Sequence, residues 1–90
     1  MIHKEKVKIT LKKANSLTAK VQKMLEDDVY CIDIIQQNLA IIGLLKSANL
    51  KLLEGHLNCC LKDAVENNDE KKLQEMSDEL VKVMKTAQNK

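Results

Sequence analysis

CIDIIQQNLAIIGLLKSANLKLLEGHLNCC, residues 31–60, is a proline-free run with a cysteine at one end and an H-x-x-x-C at the other. Its centre, LAIIGLL over residues 39–45, is apolar throughout, and a helix that is apolar all round must be buried all round. The predicted helix runs from about residue 28 to about residue 65 and, at 1.5 Å per residue, is roughly 55 Å long. A compact domain of 90 residues has a radius of gyration of about 12 Å, so other subunits must cover this helix. Along it Cys31 lies roughly 37 Å from His56 and roughly 43 Å from Cys60. One subunit cannot gather these three side chains, but two antiparallel copies can. Pairing Cys31 with His56 or with Cys60 centres the crossing on residues 43–46. Gly43, which has no Cβ, sits where two such helices approach most closely.

Outward from this run the pattern stays helical. Val7, Leu11, Ala14, Leu17, Val21, Met24 and Leu25 recur at spacings of three and four, which predicts a first helix over about 4–26. Lys8, Lys12, Lys20 and Lys23 fall on its opposite side. Glu26-Asp27-Asp28 interrupts the pattern and offers an N-cap for the second helix, with acids suited to its positive end. Beyond the second helix, ENNDE at 66–70 reads as a turn followed by another N-cap. Leu73, Met76, Leu80, Val83, Met84 and Ala87 then mark a third helix over about 69–88. The expectation is an all-α chain: one domain over 1–90, three helices, the central one long.

With no Pro, Trp or Phe, one Tyr and two Gly, the composition argues against turn-rich sheet architectures. A chain this small is marginal alone, and association is a usual remedy. The formal charge of +2 is unevenly spread, because residues 1–25 hold Lys4, Lys6, Lys8, Lys12, Lys13, Lys20 and Lys23 against the single acid Glu5. That end is a candidate anion-binding surface, although a solvated lysine face is equally common. All fifteen basic residues are lysines, so the guanidinium fork that reads guanine edges is absent and DNA contacts must act as point charges. The lack of a secretory signal and of an 18-residue apolar span points to a soluble cytoplasmic protein with no membrane association. A reducing compartment favours thiol or metal chemistry over structural disulfides for its three cysteines. No paired carboxylates, glycine-rich phosphate loop or nucleophile with a positioned base is evident, so an enzyme is not expected.

His56 and Cys60 are four apart and share one helical face, from which both can reach a single metal ion. An isolated H-x-x-x-C is more often a pair of core residues. Cys31, placed where an antiparallel partner delivers it, changes that balance. The result is two thiolates and one imidazole, twice per dimer. Cys31 also lies in the first helical turn, where the dipole favours an anionic ligand atom. A soft three-ligand set suits Cu(I), whereas Zn(II) usually takes a fourth ligand. Cys59 points about 100° away around the helix and is a spare ligand, a redox partner or filler, with filler the default.

MLEDDVYCIDIIQQ at 24–37 and HLNCC at 56–60 resemble the copper-sensitive operon repressors and their nickel-, cobalt-, formaldehyde- and persulfide-sensing relatives. The resemblance spans about residues 11–85. It implies three-helix protomers forming antiparallel dimers and then tetramers, which bind operator DNA in the apo form and release it when metal binds. It also implies Cys31 of one protomer with His56 and Cys60 of the other as Cu(I) ligands. Tyr30 and, with one residue deleted in the turn before the third helix, Glu75 match the family's pair that supports the ligand histidine. Lys8, Lys12, Lys13, Lys20 and Lys23 are then the candidate DNA contacts. Retention of His56 resembles the metal sensors more than the persulfide sensors. The N-terminal histidine ligand of the nickel and cobalt relatives has no counterpart, since His3 lies about four positions too close to Cys31. Two family arginines implicated in operator binding are also replaced, by Ala19 in helix 1 and by Ile42 in helix 2.

The leading expectation is therefore a Cu(I)-responsive transcriptional repressor. Two alternatives stand beside it: a copper-buffering paralogue that has lost DNA binding, and a persulfide or thiol redox sensor using Cys31 and Cys60 with Cys59 as resolving thiol.

Overall fold

The computed structural model describes residues 3–88, and every regular element among them is helical. Helix α1 spans Lys4–Glu26 and α2 spans Cys31–His56. A π-helical segment, Leu57–Leu61, leads into α3, Lys62–Glu66, and α4 spans Glu70–Gln88. His56, Leu61 and Lys62 all keep right-handed helical dihedrals, so the backbone stays helical from α2 through α3. The chain is thus three helical stretches, the central one long.

Two left-handed residues end the first two stretches. Asp28 has φ 55° and Asn68 has φ 52°, a conformation that short polar side chains tolerate better than most. At the first turn the Asp28 N–H donates to the Leu25 carbonyl (3.3 Å) and the Val29 N–H to the Met24 carbonyl (3.0 Å). At the second the Asn68 N–H donates to the Val65 carbonyl (3.2 Å) and the Asp69 N–H to the Ala64 carbonyl (3.0 Å). This pair of bonds satisfies carbonyls that a helix C-terminus leaves without partners.

The N-cap expected from Glu26-Asp27-Asp28 is therefore corrected. Asp28 closes α1, and α2 starts at Cys31, with the Tyr30 carbonyl accepting from the Asp33 and Ile34 N–H groups at 3.0 and 3.4 Å. An acid run is compatible with either role, and the left-handed backbone decides it. The second expected N-cap is present: Asp69 Oδ1 accepts from the Lys72 N–H at 3.0 Å. Accordingly Asp69→Ala is expected to cost about 1 kcal/mol, whereas Asp28→Gly leaves stability unchanged or raises it. Denaturant unfolding at fixed protein concentration checks both.

The chain divides into two compact units, one ending at Gly55 and one beginning at His56. In the first, α1 and α2 form an antiparallel hairpin. Val7 and Ala14 on α1 and Ala48 and Gly55 on α2 are buried, and such small side chains let two helices come close. Leu17, Val21, Ile34, Ile41 and Leu44 are half-buried around them. In the second unit Ala64 of α3 and Met76 of α4 are buried, with Leu61, Leu73 and Leu80 half-buried.

This core is small. No large side chain among the described residues is fully buried, while Ile35 (50%), Leu39 (60%) and Ile42 (47%) stay exposed along α2. Burying a side chain of this kind is worth about 1.5–3 kcal/mol, so a lone chain forgoes most of the stabilisation its sequence offers.

Candidate metal centre

Cys31 is the first residue of α2 and His56 its last. Both side chains are exposed. At about 100° per residue, Cys31 and His56 fall within about 20° of each other around the helix. The exposed Ile35, Ile42 and Leu53 lie within about 60° of both by the same count. The half-buried Leu44 and the buried Ala48 and Gly55 lie about 80–140° around the helix from both, on the side where Leu44 shares a groove with Ile9 and Leu17 of α1. So α2 has two apolar sides: one covered by α1, and one bare that carries Cys31 and His56 at its two ends.

Cys59 and Cys60 lie in the π-helical segment, and all three cysteines are free and exposed. Sequence periodicity missed this segment, because no Gly or Pro marks it. Widened single turns of this kind are frequent at functional sites. His56 and Cys60, four apart, remain neighbours on the wider turn. Cys60 also borders a depression of about 290 Å³ with Asp63, Ala64, Asn67, Asp69 and Lys72, so its thiol opens onto a polar, accessible surface.

Within one chain these donors do not assemble into a complete centre. Among the described residues no three His, Cys, Asp or Glu side chains converge on a point that could hold a metal ion. The 26 residues of α2 keep Cys31 and His56 roughly 37 Å apart along the helix. Tyr30, 68% exposed, immediately precedes Cys31. Glu75 is exposed on α4.

Lys8, Lys12, Lys13, Lys20 and Lys23 are all exposed on α1. Lys8 lies 3.9 Å from Glu5 and Lys23 lies 3.2 Å from Asp27, surface pairs within one helix that cost little to break. Lys12 and Lys13 edge an open groove of about 670 Å³, lined also by Ile9, Ser16 and Leu17 of α1 and by Ala40 and Leu44 of α2. No helix among the described residues is long and apolar enough to cross a membrane.

Comparison with known proteins bears on this arrangement. The model of a family described as metal-sensitive transcriptional repressor matches residues 3–86. The chain is 37% identical over 86 residues to the copper-sensing transcriptional repressor CsoR of Bacillus subtilis, covering 92% of this chain and 85% of that one. A shorter match, 42% over 45 residues, covers 50% of this chain and 47% of the copper-sensing transcriptional repressor RicR of Mycobacterium tuberculosis. Among solved structures, that of the copper-sensing repressor CsoR with Cu(I) from Geobacillus thermodenitrificans superposes with a TM-score of 0.78 at 32% identity, over 89% of this chain and 83% of that one.

Proposed function

The chain belongs to the metal-sensitive transcriptional repressors, and from that premise we propose that it senses Cu(I) at a site shared between two antiparallel subunits. It is a metal-responsive repressor and not an enzyme. The observation that carries the Cu(I) reading is the bare apolar side of α2, with Cys31 at one end and His56 at the other. An antiparallel second copy laid on that side covers Ile35, Ile42 and Leu53, and carries its Cys31 toward the His56 and Cys60 of the first.

The donors fit the metal. Cys31, His56 and Cys60 offer two thiols and an imidazole, all exposed, a soft set of three that suits Cu(I), whereas Zn(II) usually takes a fourth ligand. Bound Cu(I) supplies bonds that join two chains through these residues. Tyr30 and Glu75 are proposed to hold the His56 ring through its other nitrogen, so Glu75→Gln is expected to weaken Cu(I) binding or response about 10–100-fold. Competition against a chromophoric Cu(I) chelator measures this. Cys59 is left outside the ligand set.

Gly43 does not share the bare side of α2: at about 100° per residue it falls about 120° from Cys31 and about 140° from His56. Its backbone φ is not positive, and a Cβ built on it meets nothing within 4 Å, so nothing inside the chain requires a glycine there. The groove beside Lys12 and Lys13 is a second surface with apolar lining, from Ile9, Leu17, Ala40 and Leu44, which suits assembly of two dimers into a tetramer.

For output, the lysine face of α1 is proposed to contact operator phosphates in the apo form, with the protein acting in the cytoplasm. Each phosphate-contacting lysine that is removed reduces the slope of log affinity against log salt by about 1. Lys12→Ala and Lys20→Ala are the expected cases. Fluorescence anisotropy on a duplex from the protein's own upstream region, with and without Cu(I), tests the whole function. Tight apo binding that Cu(I) relieves supports it, and the absence of salt-sensitive binding to such a duplex contradicts it. Ala19 and Ile42, standing where the family carries operator-binding arginines, favour copper buffering as the second reading. Cu(I) bound without any DNA response is its signature.

A further inference from the structure

Among the described residues, every side-chain hydrogen bond and ion pair but one is local, joining residues three or four apart. The exception is His3 Nε2 to Glu54 Oε2 at 3.2 Å, which ties the start of α1 to the last turn of α2. His3 occupies the N-cap position of α1, yet its imidazole makes no cap bond to its own helix. Only its carbonyl serves α1, accepting from the Val7 N–H at 2.9 Å. The side chain is committed to the other helix, and it is 21% exposed against 50% for Glu54. Beside the pair, Gly55 and Val7 are buried, so α1 is held closely to α2 at this end.

We infer that the His3–Glu54 bond is a positioning contact that couples the turn bearing His56 to the basic first turns of α1. This rests on the reading of His56 as a metal ligand. Glu54 and His56 share the last turn of α2, so a change in the placement of one is carried to the other by the helical backbone. His3 then passes that change to the segment holding Lys4, Lys6 and Lys8, all exposed. The bond needs no charge on the imidazole, because an Nε2–H tautomer donates to the carboxylate equally well in geometry. A solvent-accessible pair of this kind, with one partner half-buried, contributes little stability. Its consequence is the path it provides between two helices that otherwise touch through apolar side chains.

The test uses the full chain and its His3→Ala, Glu54→Ala and His3→Gln variants, each apo and loaded with Cu(I), with Cu(I) stoichiometry measured in parallel. The readout is the NMR shift and exchange rate of the Val7 amide, which reports the first hydrogen bond of α1. The unmodified chain is expected to show a Cu(I)-dependent change at Val7 that both alanine variants lose, at unaltered stoichiometry and with Cu(I) affinity within a few-fold. His3→Gln, which keeps a donor, restores most of that change. A merely stabilising pair would lower thermal stability and leave the Val7 response intact, which overturns the inference. So does an unmodified chain that binds Cu(I) with no change at Val7. If it binds no Cu(I), the stoichiometry shows that the metal reading has failed and the inference falls with it. A coupled Val7 response without DNA binding sustains the inference and removes only the repressor output.

Discussion

Cys31→Ala is expected to lower Cu(I) affinity by well over the roughly 10–100-fold that loss of an outer support costs, and to leave DNA bound at copper levels that release the unmodified protein. Removal of one thiolate from the proposed set leaves one thiolate and one imidazole, a weaker donor set for a soft ion than the two thiolates and imidazole it replaces. Cys60→Ala and His56→Ala should behave alike, since in the proposed centre the three form one unit. Cys59→Ala should not, because Cys59 is left outside the proposed ligand set. The apo fold is expected to survive all four changes. Each of these side chains is exposed in the single chain, and none belongs to its core.

Ile42→Asp should have the second large effect, and on assembly instead of on metal. In one chain Ile42 is 47% exposed, so an aspartate there costs only a small helix-propensity difference, under about 1 kcal/mol. In the proposed dimer the same position meets the partner helix, and a buried unpaired carboxylate costs several kcal/mol. Two symmetry-related copies enter each dimer. Every 1.4 kcal/mol is a factor of ten in the dissociation constant, so the dimer is expected to weaken by about a hundredfold or more. Sedimentation equilibrium distinguishes the cases: unchanged association would mean that this side of α2 faces solvent in the working protein.

The sequence makes the helical class and the position of the donors legible, and for a physical reason. The spacings of three and four along α1 and α4, and the all-apolar centre of α2, are local consequences of burying one side or every side of a helix. The separation of Cys31 from His56 follows from helix rise alone. What the sequence hides depends on a choice between similar local states, or on contacts between distant residues. Asp28 is acceptable as an N-cap or as a left-handed terminator, and only the backbone shows the second. The π turn at Leu57–Leu61 carries no breaker residue. The His3–Glu54 bond depends on the register in which α1 packs against α2, which periodicity does not encode. The two apolar sides of α2 blur into one apolar run when read in a line. They separate once α1 is seen to cover only one of them.

The shared site is tested most directly by mixing subunits. Chains carrying Cys31→Ala are co-refolded with chains carrying both His56→Ala and Cys60→Ala, and tightly bound Cu(I) is counted. Neither variant alone should hold any. In a mixed dimer the intact Cys31 of one chain meets the intact His56 and Cys60 of the other, restoring one site and leaving one dead. With random pairing about half the dimers are mixed, so recovery should approach a quarter of the copper held by the unmodified protein. No recovery in the mixture, or full copper binding by Cys31→Ala chains alone, would contradict a centre built from two subunits.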